Sequence, residues 1–92
     1  MAKVDFKFDE IKIHSVERVK NSSMIVTDYS EDLNGFEPVE LLNLFSEFEK
    51  QLKVRILSHQ IIRCIVDQEW RACIWLIHED NNPPLIPNWL LG

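Results

Sequence analysis

Residues 61–77 read "IIRCIVDQEWRACIWLI", and this stretch decides the fold class. It contains two runs rich in β-branched and aromatic residues, 61–66 and 70–77, on either side of the polar triplet Asp67-Gln68-Glu69. Two such runs joined by a short polar connector are typical of antiparallel strands in a hairpin. We therefore predict a C-terminal β-hairpin, and the rest of the chain is interpreted around its sheet.

The N-terminal third of the chain predicts three further strands. Residues 3–9 alternate between charged and apolar side chains, which is the period of a half-buried strand. The alternation resumes with opposite parity after Asp9-Glu10, so a bulge or a tight turn is expected there. The polar connector "NSS", residues 21–23, separates the segments "SVERVK", 15–20, and "MIVTDY", 24–29. This pattern predicts a second and a third strand joined in a hairpin.

A helix is predicted to begin near Pro38, because proline is well tolerated at the first helical position. Apolar residues then recur at steps of three and four, at Leu41, Phe45, Phe48 and Leu52. Residues 54–56 either continue this stripe or open a strand. In both cases the helix ends before residue 58.

These segments follow the order β-β-β-α-β-β. This order predicts an α+β domain in residues 1–80, with an antiparallel sheet of about five strands and one amphipathic helix on one face. The remaining residues 81–92, "NNPPLIPNWLLG", form a proline-rich apolar tail. Its large side chains are expected to pack on the domain or on a partner subunit, with contacts through Leu85, Ile86, Trp89 and Leu90.

Charge is unevenly distributed along the 92 residues, whose formal net charge is −5. Residues 21–49 contain acidic residues and no Lys or Arg. This segment disfavours nucleic-acid binding, which needs clustered cations, and favours a protein partner with a basic surface. The expected contact residues are Asp28, Glu31, Asp32, Glu37, Glu40 and Glu47.

Patterns that carry chemistry are not found in the sequence. No cysteine or histidine pair has the spacing of a zinc site, and two glycines cannot build a phosphate loop. A hairpin loop at Gln68-Glu69 would place Cys64 opposite Cys73 and His59 opposite His78, with the two pairs on opposite faces of the sheet. We therefore expect reduced cysteines, surface histidines, no metal, no cofactor and no enzymatic activity.

Localisation is predicted from the same residues. The start, "MAKVDFKFDEIKIH", alternates charge and hydrophobe where a secretory signal would be continuously apolar. The stretch "ACIWLI", residues 72–77, is far shorter than the roughly twenty residues of a membrane helix. These features favour a cytoplasmic protein without a membrane segment.

Three functional hypotheses follow from this sequence. The first is a small acidic protein-binding module of the inhibitor, immunity or antitoxin kind, which covers a basic site on its partner. The second is a homodimeric structural or adaptor protein in which acidity serves solubility alone. The third is a small ligand-binding protein or enzyme that uses His59 and His78, although no nucleophile or orienting group accompanies them.

Deletion of residues 85–92 tests the prediction for the tail. Burial of about 200 Å² of apolar surface at roughly 25 cal/mol per Å² stabilises a fold by several kcal/mol before entropy is subtracted. The deletion should lower the thermal midpoint by several degrees if the tail packs within its own chain. If the tail packs on a second subunit, sedimentation should show a dimer becoming a monomer. Unchanged melting and unchanged mass would contradict both forms of the prediction.

Overall fold

The computed structural model describes residues 2–29 and 37–80. These residues form five strands and one α-helix. The elements are β1 Ala2–Lys3, β2 Ile13–Val19, β3 Ser22–Thr27, α1 Pro38–Leu52, β4 Val54–Val66 and β5 Glu69–Asp80. The sheet has the order β1-β2-β3-β5-β4, and every neighbouring pair is antiparallel. The predicted α+β class, with a five-stranded antiparallel sheet and a helix between β3 and β4, is confirmed.

The C-terminal hairpin is longer than its apolar runs suggest. The ladder between β4 and β5 begins where Val54 pairs with Asp80 and ends at the turn, where Val66 pairs with Glu69. Its turn consists of Asp67 and Gln68, whose φ angles are 53° and 68°. Two left-handed central residues are the requirement of the hairpin turn that matches strand twist. The turn thus lies within the polar triplet 67–69, one residue before the two-residue loop considered at Gln68-Glu69.

This one-residue difference changes the cross-strand neighbours. Cys64 lies opposite Arg71, and Cys73 lies opposite Ile62. His59 lies opposite Leu76, so the predicted pairing of His59 with His78 is also wrong. A bulge between Ile56 and Ser58 shifts the register once more, near the start of β4.

The first strand is much shorter than the alternation in residues 3–9 predicts. The ladder with β2 ends at Lys3, and one further hydrogen bond joins the Val4 N–H to the Val16 carbonyl at 2.9 Å. Beyond it, the backbone of Lys7 bonds to the side-chain amide of Gln51, with the N–H donating to Oε1 and the carbonyl accepting from Nε2. The segment therefore lies against the helix, although the alternation of buried and exposed side chains persists and Phe6 is buried.

The β2–β3 hairpin turns earlier than "NSS" suggests, with a connector that begins one residue before this tripeptide. Val19 pairs with Ser22, so the connector is Lys20-Asn21, and Lys20 has a φ of 51°. Ser22 and Ser23 consequently belong to β3. Ser23 is thereby placed inside the sheet, where its side chain is buried.

The helix begins at Pro38, as predicted, and ends at Leu52. Lys53 adopts a left-handed conformation, and its N–H donates to the Glu49 carbonyl, which ends the helix. Val54 then opens β4 directly, so the strand alternative for residues 54–56 is the correct one. Among the described residues, no helix has the length and apolar character needed to cross a lipid bilayer.

The core lies between the helix and one face of the sheet, which we call the helix face. Leu44 and Phe48 of α1 are fully buried against sheet residues, and Ile11 closes the core from the N-terminal segment. The sheet residues of this core are Val16, Ile25, Val54, Ile74 and Leu76. The opposite side of the sheet, the open face, presents Met24, Trp75 and Ile77 in β3 and β5.

Phe48 is expected to be the largest single contributor to this core. Its ring is 0% exposed and meets Phe6 edge-on with centroids 5.2 Å apart. The Phe48→Ala substitution should lower the free energy of unfolding by about 3–5 kcal/mol, because it leaves a cavity. Val39→Ala, at an exposed position of the same helix, should change it by about 0.5 kcal/mol or less. Equal effects in denaturant titrations would contradict this view of the core.

Candidate functional site

Four glutamates lie on or next to one side of α1. Glu40 and Glu47 flank Asn43 at steps of three and four, so the three side chains share one side of the helix. The Asn43 amide donates to Glu10 Oε2 at 3.4 Å and brings this residue of the N-terminal segment alongside. Glu37 precedes the helix and accepts the Glu40 N–H at its carbonyl, at 3.0 Å. We call Glu10, Glu37, Glu40 and Glu47 the acidic stripe.

Within the described part of the chain, no basic side chain forms a salt bridge with the acidic stripe. The ion pairs there engage Arg18, Arg55, Arg71 and His14 with carboxylates outside the stripe. The Glu47 carboxylate accepts a hydrogen bond from the side-chain amide of Gln51, at 3.2 Å. The stripe therefore has no salt-bridge partner among the described residues, and its nearest basic residue along the helix is Lys50, three positions after Glu47.

Asp28 has a different environment from the helix glutamates. Its Oδ1 lies 2.9 Å from Arg71 and 3.3 Å from Nδ1 of His14. Nε2 of His14 lies 2.7 Å from the carboxylate of Asp67, and Arg71 also reaches Glu69 at 3.2 Å. This cluster ties the ends of β2 and β3 to the turn of the long hairpin, so the Asp28 carboxylate is already engaged within the chain.

Other predicted contact residues lie outside the described residues. These are Glu31 and Asp32 of the predicted partner surface, together with Leu85, Ile86, Trp89 and Leu90 of the tail. Among the described acids, Glu40 and Glu47 share the stripe side of α1, Glu37 directly precedes the helix, and Asp28 lies elsewhere. Glu10 was missed by sequence analysis, because only its contact with Asn43, 33 positions away, reveals its place.

A buried serine–histidine pair is the second polar feature that sequence analysis missed. Ser23 Oγ lies 2.7 Å from Nε2 of His78, and the two residues are 2% and 1% exposed. His78 was expected at the surface, and this expectation is wrong because β5 directs its side chain into the core beside Phe48. Strand alternation could have found the pair, since Ser23 shares a face with the core residue Ile25.

The buried pair gives no support to the enzyme hypothesis. A nucleophile and its base must reach a substrate, whereas Ser23 and His78 are both closed off from solvent. His59 is exposed, and its ring lies against the Phe45 ring with the centroids 4.8 Å apart and the planes tilted by 50°. Its side chain forms no hydrogen bond with the other described residues. The two histidines therefore do not form a joint site.

The cysteines are free, and Cys73 is buried whereas Cys64 is half-buried. Burial, followed by the neighbouring Cys64, raises the pKa of the Cys73 thiol to about 11. A thiol with so high a pKa is a poor nucleophile and a poor metal ligand at neutral pH. Among the described residues, no group of three or more His, Cys, Asp or Glu side chains is placed to hold a metal ion.

A shallow depression on the open face also gives no support to small-molecule binding. It is lined by Glu17, Val19, Ser22, Ser23, Met24 and Trp75 and has a volume of about 160 Å³. Sites for small molecules usually measure roughly 300–1,000 Å³ and combine apolar walls with converging polar groups. The acidic stripe is therefore the better candidate for a functional surface.

Acidification should destabilise the protein through His78. Burial, followed by the positive charge of Arg18, lowers the pKa of His78 below its ordinary value of 6.5. The unfolded chain therefore binds a proton that the folded chain rejects, so stability falls as the pH drops below about 6.5. Thermal melts between pH 7.5 and 5.5 should show this loss in the wild type and in the surface variant His59→Gln. The loss should be smaller in His78→Gln, and an equal loss in all three proteins would contradict the assignment.

Comparison with known proteins does not identify this chain. No protein-family model matches it, no curated protein matches it, and no solved structure matches it. The functional interpretation therefore comes from the geometry and the charges described above.

Proposed function

We propose that this chain is an acidic protein-binding module that covers a basic site on a partner protein, in the manner of an inhibitor, immunity or antitoxin protein. The acidic stripe would be the contact surface. The observation that supports this function best is that Glu40 and Glu47 share one side of α1 with Glu10 beside them and Glu37 directly before the helix. None of the four has a salt-bridge partner among the described residues.

The helix suits this role because its position is fixed by the core. Leu44 and Phe48 are fully buried beneath it, and its end is held by the hydrogen bond from Lys53 to Glu49. A rigid scaffold presents charges in a constant geometry, which reduces the entropy lost on binding. Carboxylates in such an array attract a basic surface and accelerate the encounter.

Three of the four arginines in the described part of the chain form salt bridges with carboxylates. Arg18 binds Asp80, Arg55 binds Glu79, and Arg71 binds Asp28. Pairs of this kind lower the local field, because each positive charge lies beside a negative one. The stripe carboxylates form no salt bridge among the described residues, and this contrast with the arginine pairs supports the helix side as the contact surface for a basic partner.

Charge reversal tests the stripe against a matched control. Glu40→Lys/Glu47→Lys should slow association with a basic partner about tenfold or more at low ionic strength, and the effect should shrink as salt rises. Asp5→Lys/Glu17→Lys changes the net charge equally at exposed or half-exposed positions outside the stripe and should have a much smaller effect. Circular dichroism should confirm that both variants are folded.

The partner for this experiment is obtained by affinity capture from the native host with the wild-type chain. Its association kinetics are then measured by surface plasmon resonance at several salt concentrations. Equal rates for the wild type and Glu40→Lys/Glu47→Lys at low salt would remove the stripe from the binding surface. An equal slowing by the control variant would show that net charge alone is responsible.

A further inference from the structure

The strand β4 forms one edge of the sheet, and its outer side is the longest unpaired strand edge in the described part of the chain. β4 covers Val54–Val66 and pairs with β5 on one side only. The opposite edge of the sheet is β1, which contains only Ala2–Lys3. A long open edge is a template for another strand, and natural proteins usually shorten, charge or cover it.

β4 has few of the features that prevent an edge strand from pairing with another chain. The strand contains no proline and no lysine, and its two arginines are turned to neighbours in the same hairpin. Arg55 pairs with Glu79, and Arg63 lies over the ring of Trp70 at 5.4 Å. The bulge between Ile56 and Ser58 interrupts the edge only near its start. Residues 58–66 therefore form a regular edge about 30 Å long.

Exposed apolar side chains accompany this edge on the helix face. Ile65 and Trp70 lie opposite each other near the hairpin turn and are 61% and 51% exposed. The Phe45 ring rests on His59, so this side of α1 lies above β4. Leu42, one turn earlier in the helix, is 66% exposed. The first half of the edge therefore lies beside the apolar side of α1 that carries Leu42 and Phe45. Its second half lies beside Ile65 and Trp70 at the apolar end of the hairpin.

We propose that a second copy of this chain pairs with this edge. Residues 58–66 of the two copies would run antiparallel about a two-fold axis at Ile62, which joins the two sheets into a continuous sheet of ten strands. This dimer does not depend on the acidic stripe, because Glu40 and Glu47 lie on the side of the helix that faces Glu10.

The register about Ile62 follows from the positions of the basic side chains in β4 and from the face of the sheet on which each side chain lies. It places His59 opposite Ile65 of the second copy and Ile61 opposite Arg63 of the second copy. All four residues project from the helix face, so the side chains match in direction. A two-fold axis at Ile61 would instead place His59 opposite Arg63, which juxtaposes two basic groups.

In the same register, the helix of the second copy would cover the exposed side chains of Ile65 and Trp70. Because α1 lies over the first part of β4, the helix of the second copy would lie beside Ile65 and Trp70. Phe45 and Leu42 of that helix are then the nearest apolar groups to this hairpin tip. A contact along nine strand residues, about 30 Å long, is at the small end of specific interfaces. We therefore expect a dissociation constant in the range of about 1–100 µM.

Sedimentation velocity of the full chain between about 1 and 300 µM tests this dimer. The wild type should shift from monomer to dimer across the range. Ile62→Lys places two lysines opposite each other at the axis and should weaken the dimer at least about 30-fold. Val19→Lys adds the same charge to an exposed apolar position of β2 and should leave the dimer unchanged. Glu40→Lys/Glu47→Lys should also leave it unchanged, which separates this test from that of the proposed function.

A compensating pair of substitutions tests the register. Ile65→Glu, at an exposed position that should tolerate polar groups in the monomer, should weaken the dimer about tenfold or more. Addition of His59→Lys should restore most of the affinity, because each lysine then faces a glutamate of the second copy. A wild type that stays monomeric at about 300 µM would overturn the proposal. A dimer weakened by Val19→Lys and not by Ile62→Lys, or the absence of any rescue, would overturn it as well.

Discussion

The pairing of β4 with β5 is the interaction on which the rest of the structure depends. It makes β5 an interior strand of the sheet, between β3 and β4, and Ile74 and Leu76 of β5 lie under the helix. The left-handed turn at Asp67-Gln68 fixes its register, and a slip of one residue would move both core residues to the open face. The tight turn at Lys53 then allows α1 to fold back on the same sheet, which closes the core and presents the outer side of the helix.

The charges divide the described surface into parts with different chemical character. Ion pairs and the cluster around Asp28 hold the strand ends together. The acidic stripe has no such counter-charges among the described residues, and the residues of β4, Val54–Val66, include no carboxylate. One chain can therefore offer an acidic helix side to a foreign protein and a strand edge to its own copy, since the two surfaces lie on different sides of α1.

Local patterns allowed the hairpin and the start of the helix at Pro38 to be predicted from the sequence, because alternation and proline act through neighbouring residues. Features set by distant residues could not be predicted. The first strand is short because the amide of Gln51 bonds to the backbone of Lys7, 44 positions earlier. Likewise, Glu10 joins the helix glutamates only through Asn43. The turn positions escaped prediction because Lys20 and Gln68 have no strong left-handed preference of their own.

The central claim is that the acidic stripe contacts a basic partner. Zero-length coupling of carboxylates to amines in the captured complex, followed by mass spectrometry of the linked peptides, measures this contact directly. The account predicts links from partner lysines to Glu37, Glu40 and Glu47, with Glu10 as a further site. Links confined to Asp5, Glu17 or the carboxylates of the hairpin, in a complex of normal affinity, would contradict it.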